Sequence, residues 1–170
     1  MAVIASIIFA FLALGLQATL VPHIAIAGVR PDLAVVATVF LGLARGAFGG
    51  TIAGFAIGLA QDLTNPAFLG LNALTKSLLG HASGAMRTQL NTGSLPMHAA
   101  VLFAAVLAHD VVYLTIFTHL ALSDLLTRFA TQSLPTAVYT ALVGMWAFPA
   151  LGAFAGRGGR SLGRTSLARR

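Results

Sequence analysis

Apolar residues fill this chain in long blocks, and short polar clusters separate them. Val3–Val21 is the first block. As a helix its 19 residues reach about 28 Å, enough to cross the hydrocarbon of a bilayer. Val29-Arg-Pro-Asp-Leu33 interrupts the pattern, and Pro31 and Asp32 suit the first turn of a new helix, the acid lying near its positive end. Leu33–Ala44 is apolar, Arg45 follows, and a glycine-rich apolar run continues to Ala60. Thr64-Asn-Pro-Ala67 reads as a turn, Arg87–Leu95 as a polar loop and Ala121–Ser133 as a loop carrying Asp124 and Arg128. The remaining blocks lie between these breaks. The pattern predicts an all-α membrane protein with spans at 3–21, 31–44, 46–61, 68–85, 96–120 and 134–155 in one domain (1–156), and a basic tail over 157–170.

Two points in that division are open to choice. Residues 33–60 form either one long tilted helix or two short helices with Arg45 in a turn between them. Twenty-eight residues exceed the usual length of a span, and an Arg at its centre costs at least about 2.5–3.5 kcal/mol, which favours two helices. The first block also invites comparison with a cleaved leader, since Ala25-Ile-Ala27 resembles a cleavage site. No basic residue precedes the block and it is longer than a leader's apolar core, so it reads as a retained span.

Composition supports the membrane reading. The chain is 58% hydrophobic and 8% charged, against about 25% charged in soluble domains. There is no Glu, and the acids are Asp32, Asp62, Asp110 and Asp124. Without cysteine there is no disulfide, thiolate metal site or cysteine nucleophile. The net charge of +6 is no sign of nucleic-acid binding, because Arg157, Arg160, Arg164, Arg169 and Arg170 crowd into a tail beside the membrane. With six spans both termini share a side. Placing that side in the cytoplasm puts seven arginines inside (Arg45, Arg87 and the tail) and only Arg30 and Arg128 outside, so the positive-inside rule selects N-in, C-in.

Gly42, Gly46, Gly50, Gly54 and Gly58 recur at every fourth position, and Gly80 and Gly84 repeat the step in the next block. In water an interior Gly costs a helix about 1 kcal/mol relative to Ala. In a bilayer a small-residue face lets two backbones approach closely, so these glycines predict a helix–helix seam. Polar residues gather at its end. Asp62 follows Gln61 at the close of the third span, and Asn72 and Lys76 share a face of the fourth. The two spans are antiparallel neighbours, so Asp62 and Lys76 are expected to pair with Asn72 near the mouth. That pairing fixes helix packing or forms a small polar site. His109 and Asp110 are adjacent, so their side chains are expected to diverge by about 100° rather than form a dyad. His23, His81, His98 and His119 lack metal-ligand spacing, and Tyr139 and Trp146 read as packing or interfacial residues. Nothing offers a nucleophile with a base and an orienting third group, so an enzyme is not expected, and no cofactor is implied.

Taken in order, several motifs resemble the MreD family, the membrane subunit of the bacterial rod-shape (elongasome) system. They are Leu16-Gln17; Arg30-Pro-Asp-Leu33; Gly46 followed by Gly54-Phe-Ala-Ile-Gly-Leu-Ala-Gln-Asp-Leu63; Leu69-Gly-Leu-Asn-Ala-Leu-Thr-Lys-Ser-Leu-Leu-Gly80; and Leu134-Pro-Thr-Ala-Val-Tyr139. The sequence departs from the family pattern at His109-Asp110, where an acid after an aromatic is common, and at Thr140, where Asn often follows the Tyr. The resemblance implies a six-helix protein of the bacterial inner (cytoplasmic) membrane, similar in fold to the S-components of energy-coupling-factor vitamin transporters. It implies a non-enzymatic role beside an MreC-like protein, supporting RodA and its class B penicillin-binding partner in sidewall peptidoglycan synthesis and linked indirectly to the MreB filament. Gln17, Arg30, Pro31, Asp32 and Tyr139 are its motif residues here. Two rivals remain: a small-molecule binder of the S-component type, and a proton-coupled carrier using Asp62, Lys76 or Asp110.

Overall fold

The computed structural model describes residues 2–64, 69–90, 95–117 and 122–157, which are helical nearly throughout. The basic tail beyond Arg157, His119, and the Asn65-Pro66 turn expected from the sequence lie outside the described residues. Helix α1 spans Ala2–Thr19, and a 3-10 turn follows over Val21–Ile24. Ile26 and Val29 exchange backbone hydrogen bonds around Ala27 and Gly28, both at positive φ, so the Ala25-Ile-Ala27 segment belongs to a tight turn between helices.

The helical stretch Leu33–Asp62 is broken at Gly46, whose φ of 77° and ψ of −179° fall where essentially only glycine sits. The chain reverses there. Gly42 Cα lies 2.8 Å from where a Cβ on Gly50 would stand, whereas residues eight apart in one helix are separated by about 12 Å. Residues 33–45 (α2) and 47–62 (α3) are therefore two antiparallel arms, with Arg45 beside the turn. Gly46 turns the chain, and it joins the seam through its backbone, which lies against Gly84. A side chain there would meet open space, and the position requires glycine for its backbone angle.

Helix α4, Leu71–Ala85, lies along this hairpin in the molecule's most extensive helix interface. The register is regular. A Cβ on Gly58 would strike the Asn72 carbonyl, one on Gly54 the Lys76 carbonyl, one on Gly50 the Gly80 carbonyl, and one on Gly84 the backbone at Gly46. A Cβ on Gly42, across the hairpin, would stand 2.7 Å from the Gly80 carbonyl oxygen and 3.0 Å from Ser83 Cβ. The glycines thus line two arms of a hairpin rather than one helix, and α4 fills the face they share. This is backbone-to-backbone packing of the kind small residues permit in membranes.

A single turn, α5, covers Arg87–Leu90, followed by α6, Leu95–Phe117. The predicted loop over 121–133 is instead helical: α7 spans Leu122–Arg128, a π turn spans Phe129–Ser133, and α8 continues over Leu134–Arg157. Leu122, Leu125 and Leu126 recur at helical spacing, and Asp124 sits favourably in the first turn, which accounts for the helix. Pro135 accounts for the π turn. It has no N–H, and its ring crowds the carbonyl four residues back. The ladder widens there, and Leu134 N–H donates to the Phe129 carbonyl.

Helix α2 is the centre of the bundle. Ala34 to Val39 are all buried. Val35, Val36, Val39 and Leu43 pack against Leu102, Ala105 and Val106 of α6 and Ala137, Ala141 and Phe148 of α8. On its other side Ala34, Ala37 and Leu41 meet Ala13 of α1 and Ile57 of α3. A helix apolar on every side belongs inside a bundle. The outer surface is also apolar: Phe48 is 80% exposed, Trp146 71% and Phe11 70%. Large apolar side chains at such exposure suit a lipid environment. By length and composition Leu95–Thr115 qualifies to cross a membrane as one helix, and Leu33–Asp62 reaches that length only with its two arms counted together.

The seam yields a test. Replacing Gly54 by Leu forces α3 and α4 apart against backbone atoms, and overpacking of this kind costs about 1–3 kcal/mol or more. Gly54→Leu is expected to lower the thermal unfolding midpoint in detergent by several degrees. Gly15→Ala, where the added methyl meets nothing, leaves it unchanged. Equal midpoints for the two variants would contradict the register described.

Candidate functional site

Inside the bundle the polar side chains find one another, as hydrocarbon requires. Asp62 ends α3 and is fully buried. Its Oδ2 accepts from the N–H groups of Gly70 (2.9 Å) and Ala73 (3.0 Å). Its Oδ1 accepts from Asn72 N–H (3.2 Å) and Asn72 Nδ2 (3.0 Å). These donors open α4, so Asp62 caps that helix from the end of its neighbour and faces the positive pole of its dipole. The seam makes this possible by holding the two helices at contact distance.

Lys76 is the chain's one lysine and is 1% exposed. Its ammonium does not bond Asp62. It donates to Asn72 Oδ1 (3.3 Å) and His109 Nε2 (3.0 Å), and forms an ion pair with Asp32 Oδ2 at 3.8 Å. The expected Asp62–Lys76 pair is thus replaced by a bridge through Asn72, because the α4 N-terminus already occupies the Asp62 oxygens. Asp62, Asn72 and Lys76 are brought together. Gln61 is not joined to them, and its Oε1 is buried with no hydrogen-bond partner among the described residues.

His109 completes the cluster. Its Nδ1 lies 3.1 Å from Asp110 Oδ1, so the two neighbours do pair, contrary to the divergence expected. The 100° separation applies to Cβ directions, and the near ring nitrogen and a short carboxylate reach across it. His109 Nε2 lies 3.0 Å from Lys76 Nζ and 3.3 Å from Asn72 Oδ1, so the ring joins both residues of α4 to Asp110. The ring stacks on Tyr113 at a centroid distance of 5.9 Å. Three of the four acids and the single lysine thus meet in one network joining α2, α3, α4 and α6.

A second set of bonds holds the entrance to α2. Asp32 Oδ1 caps that helix by accepting from Val35 N–H at 2.9 Å, while its own N–H donates to Thr140 Oγ1 at 2.9 Å. Gln17 Oε1 accepts from Leu33 N–H (2.7 Å) and its Nε2 donates to the Pro31 carbonyl (3.4 Å). Tyr139 O–H donates to the Ile24 carbonyl at 2.8 Å. Gln17, Pro31, Asp32 and Tyr139 therefore converge on one place, Thr140 supplies the hydroxyl contact, and Arg30 is exposed beside them. Among the other histidines, His23 sits against the Thr19 carbonyl, His81 beside Thr51 Oγ1, and His98 stacks on Phe148.

The role of Asp32 as the carboxylate of Lys76 was missed in the sequence reading. The available signal was numerical: one buried lysine requires a carboxylate, and Asp32 and Asp110 were candidates beside Asp62.

An all-helical membrane protein whose ionisable side chains are spent on one another and on helix ends is the class these features define. The family model "rod shape-determining protein MreD" matches residues 1–155, and the chain belongs to the MreD family. This is a family of structural, shape-determining membrane proteins. No curated protein and no solved structure matches the chain.

Removing the cap tests the account of Asp62. Asp62→Ala removes the acceptor of four donors, that of Ala73 buried and the others partly so, and is expected to cost about 3 kcal/mol. Thermal unfolding in detergent should show a clear drop for this variant and a much smaller one for Asp124→Ala, whose exposed carboxylate only favours the first turn of α7. An Asp62→Ala protein as stable as wild type would refute the capping role.

Proposed function

We propose that this chain is a non-enzymatic, multi-pass subunit of the elongasome in the bacterial inner (cytoplasmic) membrane. In this reading it binds an MreC-like protein and supports RodA and its class B penicillin-binding partner in sidewall peptidoglycan synthesis and maintenance of rod shape, with an indirect link to MreB. The observation that carries the proposal is the family match over nearly the whole chain. Its topology is six spans with both termini cytoplasmic, similar to the S-component fold. The hairpin fits this with one adjustment. Its arms of 13 and 16 residues reach about 20 and 24 Å, less than the roughly 30 Å hydrocarbon core, so the bilayer thins near Gly46 and Arg45 reaches the interface.

The closed polar network favours a scaffold over the rival classes. Its carboxylates and its ammonium are engaged with protein groups, which leaves little for a vitamin or a transported ion. The glycine face is filled by α4, so a partner helix docks elsewhere. The outward stripe Val138, Leu142 and Trp146 on α8 offers a suitable apolar face, with exposures of 50, 54 and 71%.

Cross-linked pull-down of the tagged protein from its native membranes should recover an MreC-like protein together with RodA and its penicillin-binding partner. Recovery of an ATPase pair with a transmembrane coupling protein would replace this proposal with the small-molecule-binding one.

A further inference from the structure

A groove of about 480 Å³ lies between α1 and the hairpin. Leu41 and Ile57 are among its lining residues and are buried, while Phe11, Phe48 and Ile52 stand exposed along it. The groove follows α3 from Phe48 to Ala60, about 18 Å at the helical rise. One leaflet's share of the hydrocarbon core is about 15 Å. Arg45 lines the end beside the Gly46 turn, and no carboxylate pairs with it among the described residues. The groove is therefore one leaflet long, apolar along its length and cationic at one end.

We propose that this groove is a binding site for a membrane phospholipid, with one acyl chain against α1 and α3 and the phosphate on Arg45. Length and charge select this occupant. An acyl chain matches a groove one leaflet long, and the cationic end takes an anion, since a guanidinium forms two parallel hydrogen bonds to a phosphate. Position agrees as well. A turn at the end of two membrane helices puts Arg45 at headgroup depth, where anionic lipid attracts basic side chains.

The probe is phosphatidylglycerol, added to the full-length protein in mild detergent and counted on the protein by native mass spectrometry. Wild type should retain one molecule. Ala56→Phe, which fills the groove from an exposed position, should lose it, and Val138→Phe on α8 should keep it. Arg45→Gln should abolish the preference for phosphatidylglycerol over uncharged diacylglycerol, and because that side chain is partly exposed at a turn, this variant tests the site even if Ala56→Phe fails to fold. A photo-crosslinker at Ile52 in native membranes should capture lipid. Retention by Ala56→Phe equal to wild type, an unchanged preference in Arg45→Gln, or capture of a protein at Ile52 would each overturn the proposal.

Discussion

The approach of α4 to the 33–62 hairpin is the constraint from which the rest follows. Carbonyl oxygens of Asn72, Lys76 and Gly80 stand where Cβ atoms on Gly58, Gly54 and Gly50 would be. No side chain separates the helices, so the contact is made by backbone atoms. In a bilayer helices gain no hydrophobic drive for pairing, and such contact is what remains. The same closeness positions the polar groups. Asp62 reaches the first N–H groups of α4 only because the seam ends there. Lys76, on the seam face by its backbone, extends its ammonium past the hairpin toward Asp32 and His109.

The polar network then ties the seam to the bundle. Asn72 is its pivot, with the amide nitrogen on Asp62 and the amide oxygen on Lys76. That orientation divides the charges. The Asp62 carboxylate is balanced by a helix terminus, which leaves the ammonium for Asp32. Asp32 in turn caps α2, the helix around which both apolar clusters form. A partly satisfied buried network destabilises a protein, whereas a fully bonded one specifies a single packing. Here the bonds join helices far apart in sequence, and each specifies the position of its neighbour.

Much of this was legible from local pattern. The apolar blocks located the main helices, the fourfold glycine step located the seam, and the cost of Arg45 inside a span selected two arms over one. Non-local geometry was not legible. Nothing in Gly46 itself distinguishes a turn glycine from a packing glycine, since both appear at the same spacing. The Lys76–Asp32 pair spans 44 positions, and its formation depends on Asp62 being used by backbone donors that no side-chain pattern reveals. The helix over Leu122–Arg128 was hidden by its length, because seven residues with one acid and one base resemble a loop. The motif residues Gln17, Pro31, Asp32 and Tyr139 were visible as a set, but their shared purpose at the entry to α2 emerged only when α1 and α8 were placed beside it.

Where the polar groups are absent also matters. The large exposed side chains described on α1, α3 and α8 are apolar, with Ile8, Phe48 and Trp146 well exposed. Interactions at that surface rest on shape and van der Waals contact rather than on hydrogen bonding. A rigid interior makes such contacts selective, because a face that holds its shape distinguishes one partner from another. The buried network therefore shapes the outer surface from within: it keeps α2 and α4 in register, and the outer helices pack against that fixed centre.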